Sequence, residues 1–184
     1  MSTTFPRTRK SRRGYSVDQV EDFLEDARRA YSSDVAGPSV VTAESIRTTA
    51  FAMQKGGYST THVDAALERL EDAFASRERD RAFAPPGGDT AWYSEARSTA
   101  QEILDRLARP EGGRFSHVSP LTRGYNVKQV DQFADRLVDY FQHGKPMSIA
   151  EVRLVAFSAT RRGYNESQVD LLLDRVIDVM LAVR

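Results

Sequence analysis

The sequence predicts an all-α protein of two similar helical lobes, each built from repeated helix-turn-helix modules and joined by a helical linker. Three observations carry that expectation. One short phrase occurs four times: RGYSVDQVEDF from Arg13 to Phe23, GGYSTTHVDAAL from Gly56 to Leu67, RGYNVKQVDQF from Arg123 to Phe133 and RGYNESQVDLLL from Arg162 to Leu173. Apolar residues follow each copy at alternating steps of three and four, the spacing of one helix face. No segment alternates apolar and polar residues convincingly as a strand would.

In chain order, the first helix is the stripe Val20, Phe23, Leu24, Ala27 and Tyr31. A second runs into the next phrase through Ile46, Ala50 and Met53, started by Thr42 with Val41 against Ile46. The third is the stripe Val63, Ala66, Leu67, Leu70 and Phe74. The breaker clusters PPGGD (Pro85 to Asp89) and RPEGG (Arg109 to Gly113) then bracket a linking helix carrying Tyr93, Ala96, Ala100, Ile103 and Leu107 on one face. Val130, Phe133, Leu137 and Phe141 form the fifth. The sixth, through Val152, Ala156 and Phe157, is capped by Ser148 and Glu151 as S-x-x-E, with Met147 stapling Val152. Val169, Leu172, Leu173, Val176 and Met180 form the seventh.

The four phrases fall into two types. Phe5 and Phe115 precede their glycines, Gly14 and Gly124, by nine residues, whereas Phe51 and Phe157 precede Gly57 and Gly163 by six. The order A-B-A-B reads as one two-module unit, duplicated. The expected boundaries are a first lobe at 1–82, a Pro/Gly-flanked linker helix at 83–114 and a second lobe at 115–184.

Local chemistry explains most of the phrase. Ser16, Ser59, Asn126 and Asn165 stand where an N-cap accepts from first-turn N–H groups. Gln19, His62, Gln129 and Gln168, three residues on, are placed to complete capping boxes, with His62 the weak member. Tyr15, Tyr58, Tyr125 and Tyr164 precede the caps and are placed to staple Val20, Val63, Val130 and Val169. The acids Glu21, Asp64, Asp131 and Asp170 suit the positive end of a helix dipole. Gly14, Gly57, Gly124 and Gly163 are expected to supply a turn, with positive φ at the end of the incoming helix. The basic residues before each glycine have no such explanation.

Composition narrows the function classes. Apolar residues make up 40% of 184 residues, enough for a packed core, and the formal net charge is zero. Neutrality gives no general attraction to nucleic acid or an anionic membrane, so electrostatic function must come from local patches. The absence of cysteine excludes disulfides, zinc-thiolate sites and thiol catalysis, and it suits a reducing cytoplasm. No apolar run approaches the ~20 residues that span a bilayer, and MSTTFPRTRKSRRGY is basic but lacks the apolar stretch of a secretory signal.

No enzyme, metal, cofactor or small-molecule site is expected. His62, His117 and His143 are scattered, without a ligand partner at helical spacing, and there is no Gly-rich phosphate loop. Asn165-Glu-Ser167 fits a glycosylation sequon but reads as a cap, and Trp92 reads as a packing anchor. The last helix, Leu171 to Val183, is apolar on more than one face. It is expected either in the core of the second lobe or as a self-association or partner face.

Phe, five residues, Gly-Tyr, a cap, then Val-Asp and a hydrophobic helix resembles the N-terminal domain of DivIVA cell-division proteins. The likeness is nearest to actinobacterial proteins that carry the domain as a repeat. It is best at Phe51, Gly57, Tyr58, Val63 and Asp64, and at Phe157, Gly163, Tyr164, Val169 and Asp170; the A modules carry three extra residues. The resemblance implies a turn followed by a coiled-coil helix, recognition of curved membrane at poles and septa, and recruitment of partners. Membrane contact in that family uses an aromatic beside an Arg just before Gly-Tyr. By position the Arg is matched by Arg13, Arg123 and Arg162 and is Gly56 in the second module, while Arg12, Lys55, Thr122 and Arg161 stand where the aromatic would.

The resulting expectation is a non-enzymatic cytoplasmic adaptor or scaffold linked to bacterial cell division or polar growth. Protein partners or self-association are expected, with peripheral contact at the inner face of the membrane, at pole or septum, as the further option. The contact residues would be the basic tip: Arg12, Arg13, Arg123, Arg161 and Arg162. Two alternatives stand beside it: a helix-turn-helix repeat protein that binds nucleic acid, and a protein–protein module without membrane targeting. Against the first, Asp64, Glu68, Glu71, Asp170 and Asp174 would face phosphate.

Overall fold

The computed structural model describes residues 5–33 and 41–184. The chain is mainly helical, with seven helices among the described residues. It divides into two compact units, residues 1–81 and 82–184.

The first unit runs β1 (Arg13–Tyr15), α1 (Val17–Ser32), α2 (Ala43–Arg47), β2 (Met53–Lys55) and α3 (Thr60–Phe83), the unit boundary falling in the last turn of α3. The second runs α4 (Gly88–Leu107), β3 (Arg123–Tyr125), α5 (Val127–His143), α6 (Ile149–Arg153), β4 (Ala159–Arg161) and α7 (Glu166–Ala182). The order β-α-α-β-α therefore occurs twice.

The strands correct the expectation that the chain has none. In each unit they form a two-stranded antiparallel ribbon, β1 with β2 and β3 with β4. Three residues per strand are too few for an alternating pattern to register, and the MQK of β2 is exposed throughout. The helical hairpin expected around the second and fourth phrases is also replaced. α2 stops at Arg47, six residues short of Met53. The Thr48 and Thr49 hydroxyls donate to the carbonyls of Glu44 and Ser45 and compete for the bonds that would extend the helix. α6 stops likewise at Arg153. A strand and a turn, not a helix, thus lead into α3 and α7, and no helix-turn-helix forms at either phrase.

The caps of the short helices hold. Thr42 with Ser45 and Ser148 with Glu151 form reciprocal capping boxes. The core of the first unit lies in two clusters. One gathers Ala27, Val41, Ala43, Ile46 and Phe74. The other gathers Val17, Val20, Tyr58 and Val63. In the second unit α7 is the central element, packed by α4 and α6 and burying Val169, Leu172, Val176, Ile177, Val179, Met180 and Leu181. Its apolar surround is therefore core, with Leu171 and Val183 left exposed. The segment between the breaker clusters is α4, which packs on α5 and α7 within the second unit. Trp92 anchors it by donating its indole N–H to the Ala182 carbonyl at 3.0 Å.

Candidate functional site

The four phrases come together as two pairs. In the first unit Tyr15 N–H donates to the Tyr58 carbonyl at 3.0 Å, and Tyr58 N–H returns the bond to Tyr15 at 2.9 Å. In the second unit Tyr125 and Tyr164 exchange the same two bonds at 3.0 and 2.9 Å. Each phrase thus binds its neighbour's backbone, which a purely local reading of the motif misses.

This pairing explains the glycines differently from the sequence. None of Gly14, Gly57, Gly124 and Gly163 has positive φ; that conformation falls one residue earlier, on Gly56 (φ 65°) and Arg162 (φ 53°). The glycines are needed because the two backbones touch. A β-carbon on Gly14 would overlap the Tyr58 carbonyl, and one on Gly57 the carbonyls of Tyr15 and Gly14. Gly124 faces the Tyr164 carbonyl, and Gly163 faces those of Gly124 and Tyr125.

The tyrosines also reach across. Tyr15 packs on Phe51 and Tyr58 on Phe5, both with ring centroids 5.5 Å apart. Tyr125 packs on Phe157 and Tyr164 on Phe115, both at 5.3 Å. Two hydroxyls donate to the acid of the opposite phrase, Tyr58 to Glu21 and Tyr164 to Asp131 at 3.0 Å, and the other two lie near theirs, Tyr15 near Asp64 and Tyr125 near Asp170. The acid is therefore a specific acceptor as well as a dipole partner. Burial, reinforced by the nearby carboxylate, raises the hydroxyl pKa of Tyr15 and Tyr125. Tyr164 is pushed up to about 12, by burial first and by Asp131 in addition, while the Arg114 N–H on its oxygen works the other way. Burial likewise raises the Asp170 carboxyl against the opposing effect of the Tyr125 hydroxyl.

The residue three past the cap completes the exchange and corrects the expected capping boxes. Gln19 accepts from the Ala52 N–H, Gln129 from Ser158 and Gln168 from Ser116, at 2.7–2.9 Å. Each donor directly follows the phenylalanine of the opposite module. Its carbonyl in turn accepts the cap N–H, from Ser16, Ser59, Asn126 and Asn165 to Ala52, Pro6, Ser158 and Ser116. The second copy departs for a visible reason. The residue facing His62 is Pro6, which has no N–H to give, and His62 instead bonds the Ser59 hydroxyl of its own cap. Asn126 and Asn165 do accept first-turn N–H groups, whereas Ser16 makes no side-chain cap bond.

The basic tip sits at the open ends of the ribbons. In the first unit Arg13 is opposite Lys55, and in the second Arg123 is opposite Arg161. Arg7, Arg9, Lys10, Arg12, Arg13 and Lys55 are all exposed, and none has a carboxylate partner among the described residues; Arg7 lies 5.8 Å from the Tyr58 ring centre. In the second unit Arg123, Arg161 and Arg162 are exposed beside a residue that the sequence did not single out. Leu121, two positions before Arg123, is 93% exposed. Nothing in the sequence marks it, since a lone leucine in a loop has no period.

Among the described residues no cluster of His, Asp and Glu could hold a metal ion, and no helix is long and apolar enough to cross a membrane. No protein-family model matches the sequence, and no significant match appears among curated proteins or solved structures.

Proposed function

We propose that the chain is a non-enzymatic adaptor or scaffold of the DivIVA-repeat kind, built by duplicating a two-module lobe. In this reading it serves bacterial cell division or polar growth and meets an anionic membrane surface through its ribbon ends. The observation that carries the proposal is the facing of like charges, Arg13 with Lys55 and Arg123 with Arg161. Like charges directly opposite on paired strands are destabilising, so folding does not account for them. An external anionic surface would neutralise them, each cation adding about 1 kcal/mol near such a leaflet. Leu121 supplies an apolar contact beside Arg123 although the family's aromatic is missing.

Co-sedimentation with phosphatidylglycerol-containing vesicles tests this. Binding at low salt, loss on raising salt, and weakening by Leu121→Asp or by Arg123→Ala with Arg161→Ala are expected. Absence of binding to anionic vesicles at low salt contradicts it. A fluorescent fusion spread evenly through the cell, without poles or septa, contradicts the division role.

A second reading, a protein–protein module without membrane contact, is favoured by one feature. Leu171 is 62% exposed and borders a groove of about 300 Å³ with Ile103, Phe115 and Arg106. Retained partner capture without vesicle binding would favour that reading. Nucleic-acid binding is the least supported, because the lead into α3 and α7 is not a helix.

A further inference from the structure

His117 occupies an unusual position for a histidine at the surface. Its Nδ1 lies 2.7 Å from the Arg162 carbonyl and its Nε2 lies 2.8 Å from the Gly112 carbonyl. Both partners can only accept. A neutral imidazole has one N–H and one lone pair, so it can satisfy one of them and must turn its lone pair toward the other. Only the imidazolium satisfies both. The two carbonyls belong to different segments: Gly112 to the 109–113 breaker turn and Arg162 to the tip of the β3–β4 ribbon.

We propose that His117 is a proton-operated latch, which as an imidazolium ties the 109–113 turn to the ribbon tip at Arg162 and as a neutral ring lets one of the two go. The first unit supplies an internal comparison. Counting from Gly14 and Gly124, Arg7 stands where His117 does, and it lies against Tyr58 as His117 lies 5.1 Å from the Tyr164 ring. The first unit thus has a permanent cation at this position and the second a titratable one. The residue held also differs. Gly56 takes positive φ without strain, whereas Arg162 takes it with a β-carbon, which that region disfavours. The latch therefore fastens a residue that gains by relaxing.

The surroundings favour the proton. The Arg162 and Gly112 carbonyls raise the His117 pKa above its ordinary value, slight burial lowers it, and Asp131 adds to the rise. The other charged groups on these segments are Glu111 in the turn, whose charge has the same sign as that of Asp131, and Arg114, Arg161 and Arg162, whose charges have the opposite sign. Asp131 also accepts the Gly112 N–H at 2.8 Å, so it holds the turn in register for the latch. With the folded pKa raised, the latch is whole below the ordinary histidine value of about 6.5. It is lost as pH rises through the folded value. Closing it adds a positive charge beside Arg123, Arg161 and Arg162. The device stands whatever that tip contacts.

NMR titration of the full chain between pH 5 and 9 tests it, with His117 resonances assigned by their loss in His117→Gln. The expected result is a His117 midpoint above 6.5, with the carbonyl carbons of Gly112 and Arg162 moving on the same curve. In His117→Gln those carbonyl shifts should be flat with pH. Arg162→Gly should keep the His117 titration and gain stability, because the strain is relieved while the carbonyl remains. A midpoint at or below 6.5 overturns the proposal, as do carbonyl shifts that ignore the His117 titration or follow it unchanged in His117→Gln.

Discussion

Replacing Gly163 by alanine separates two accounts of the Gly-Tyr motif. Gly163 has ordinary negative φ, so a methyl group there meets no backbone penalty of its own. If conformation were all that mattered, alanine would stabilise by about 0.4–1 kcal/mol through the unfolded chain. The paired backbones predict the reverse. The new β-carbon would lie 2.5 Å from the carbonyl oxygens of Gly124 and Tyr125, both backbone atoms that cannot swing aside. The strands would have to part by about half an ångström to reach the shortest contact real β-carbons make. That stretches the two Tyr125–Tyr164 backbone bonds from 2.9–3.0 Å to the limit of hydrogen bonding. Two weakened bonds at about 1 kcal/mol each, plus overpacking at about 1–3 kcal/mol, give a loss of about 3–5 kcal/mol. Trp92 lies in the same unit, so urea unfolding followed by tryptophan fluorescence reads the change. Gly144→Ala is the control: φ is 64°, nothing lies near, and the loss should be the 1–2 kcal/mol of the backbone alone. A Gly163→Ala protein as stable as the wild type, or more so, refutes the close-approach argument.

Three further outcomes follow from the same contacts. Pro6→Ala with His62→Gln should create the cross-module side-chain bond at this position that the second phrase lacks. A double-mutant cycle by chemical denaturation should then show a favourable coupling of about 0.5–1.5 kcal/mol, and a coupling of zero would deny that Gln at this position reaches across. Tyr164→Phe removes the donor from a carboxylate that is only 4% exposed, so a loss of about 1–3 kcal/mol is expected in the second-unit transition. The Ser148 N–H, the Ser148 hydroxyl and Arg136 hold the Glu151 carboxyl below its ordinary pKa. Its contribution is therefore whole above the ordinary glutamate range and fades as pH falls through the folded value; acid titration of Glu151→Gln by circular dichroism should show that much less acid sensitivity.

The helices were legible because their apolar periods are long. The stripes from Val20, Val63, Val130 and Val169 each lie on an observed helix, and so does the stripe through Ala96, Ala100, Ile103 and Leu107. The boxes at Thr42 and Ser148 were legible because both partners are local. The incoming helices were overextended because three apolar residues, Ile46, Ala50 and Met53, fit a helical period by chance as easily as by structure. The cross-module exchange was hidden for another reason. Gln19 has a plausible local partner in its own cap, and sequence spacing cannot show that its actual partner, the Ala52 N–H, stands 33 residues away. One trace of it was present: the only copy without Gln, at His62, is the one whose opposite phenylalanine is followed by proline. Leu121 escaped because a lone leucine in a loop has no period, and only its 93% exposure marks it.

Each Gly-Tyr phrase is completed by the backbone of the other phrase in its unit. Scalar couplings across hydrogen bonds measure this without mutation, in uniformly labelled, deuterated protein. Cross-peaks are expected from Tyr15 N to the Tyr58 carbonyl carbon and back, and from Tyr125 N to Tyr164 and back. Those amides would also be protected from exchange. Couplings to carbonyls within the same phrase, or amides of these four tyrosines that exchange freely while the helices stay protected, would contradict it.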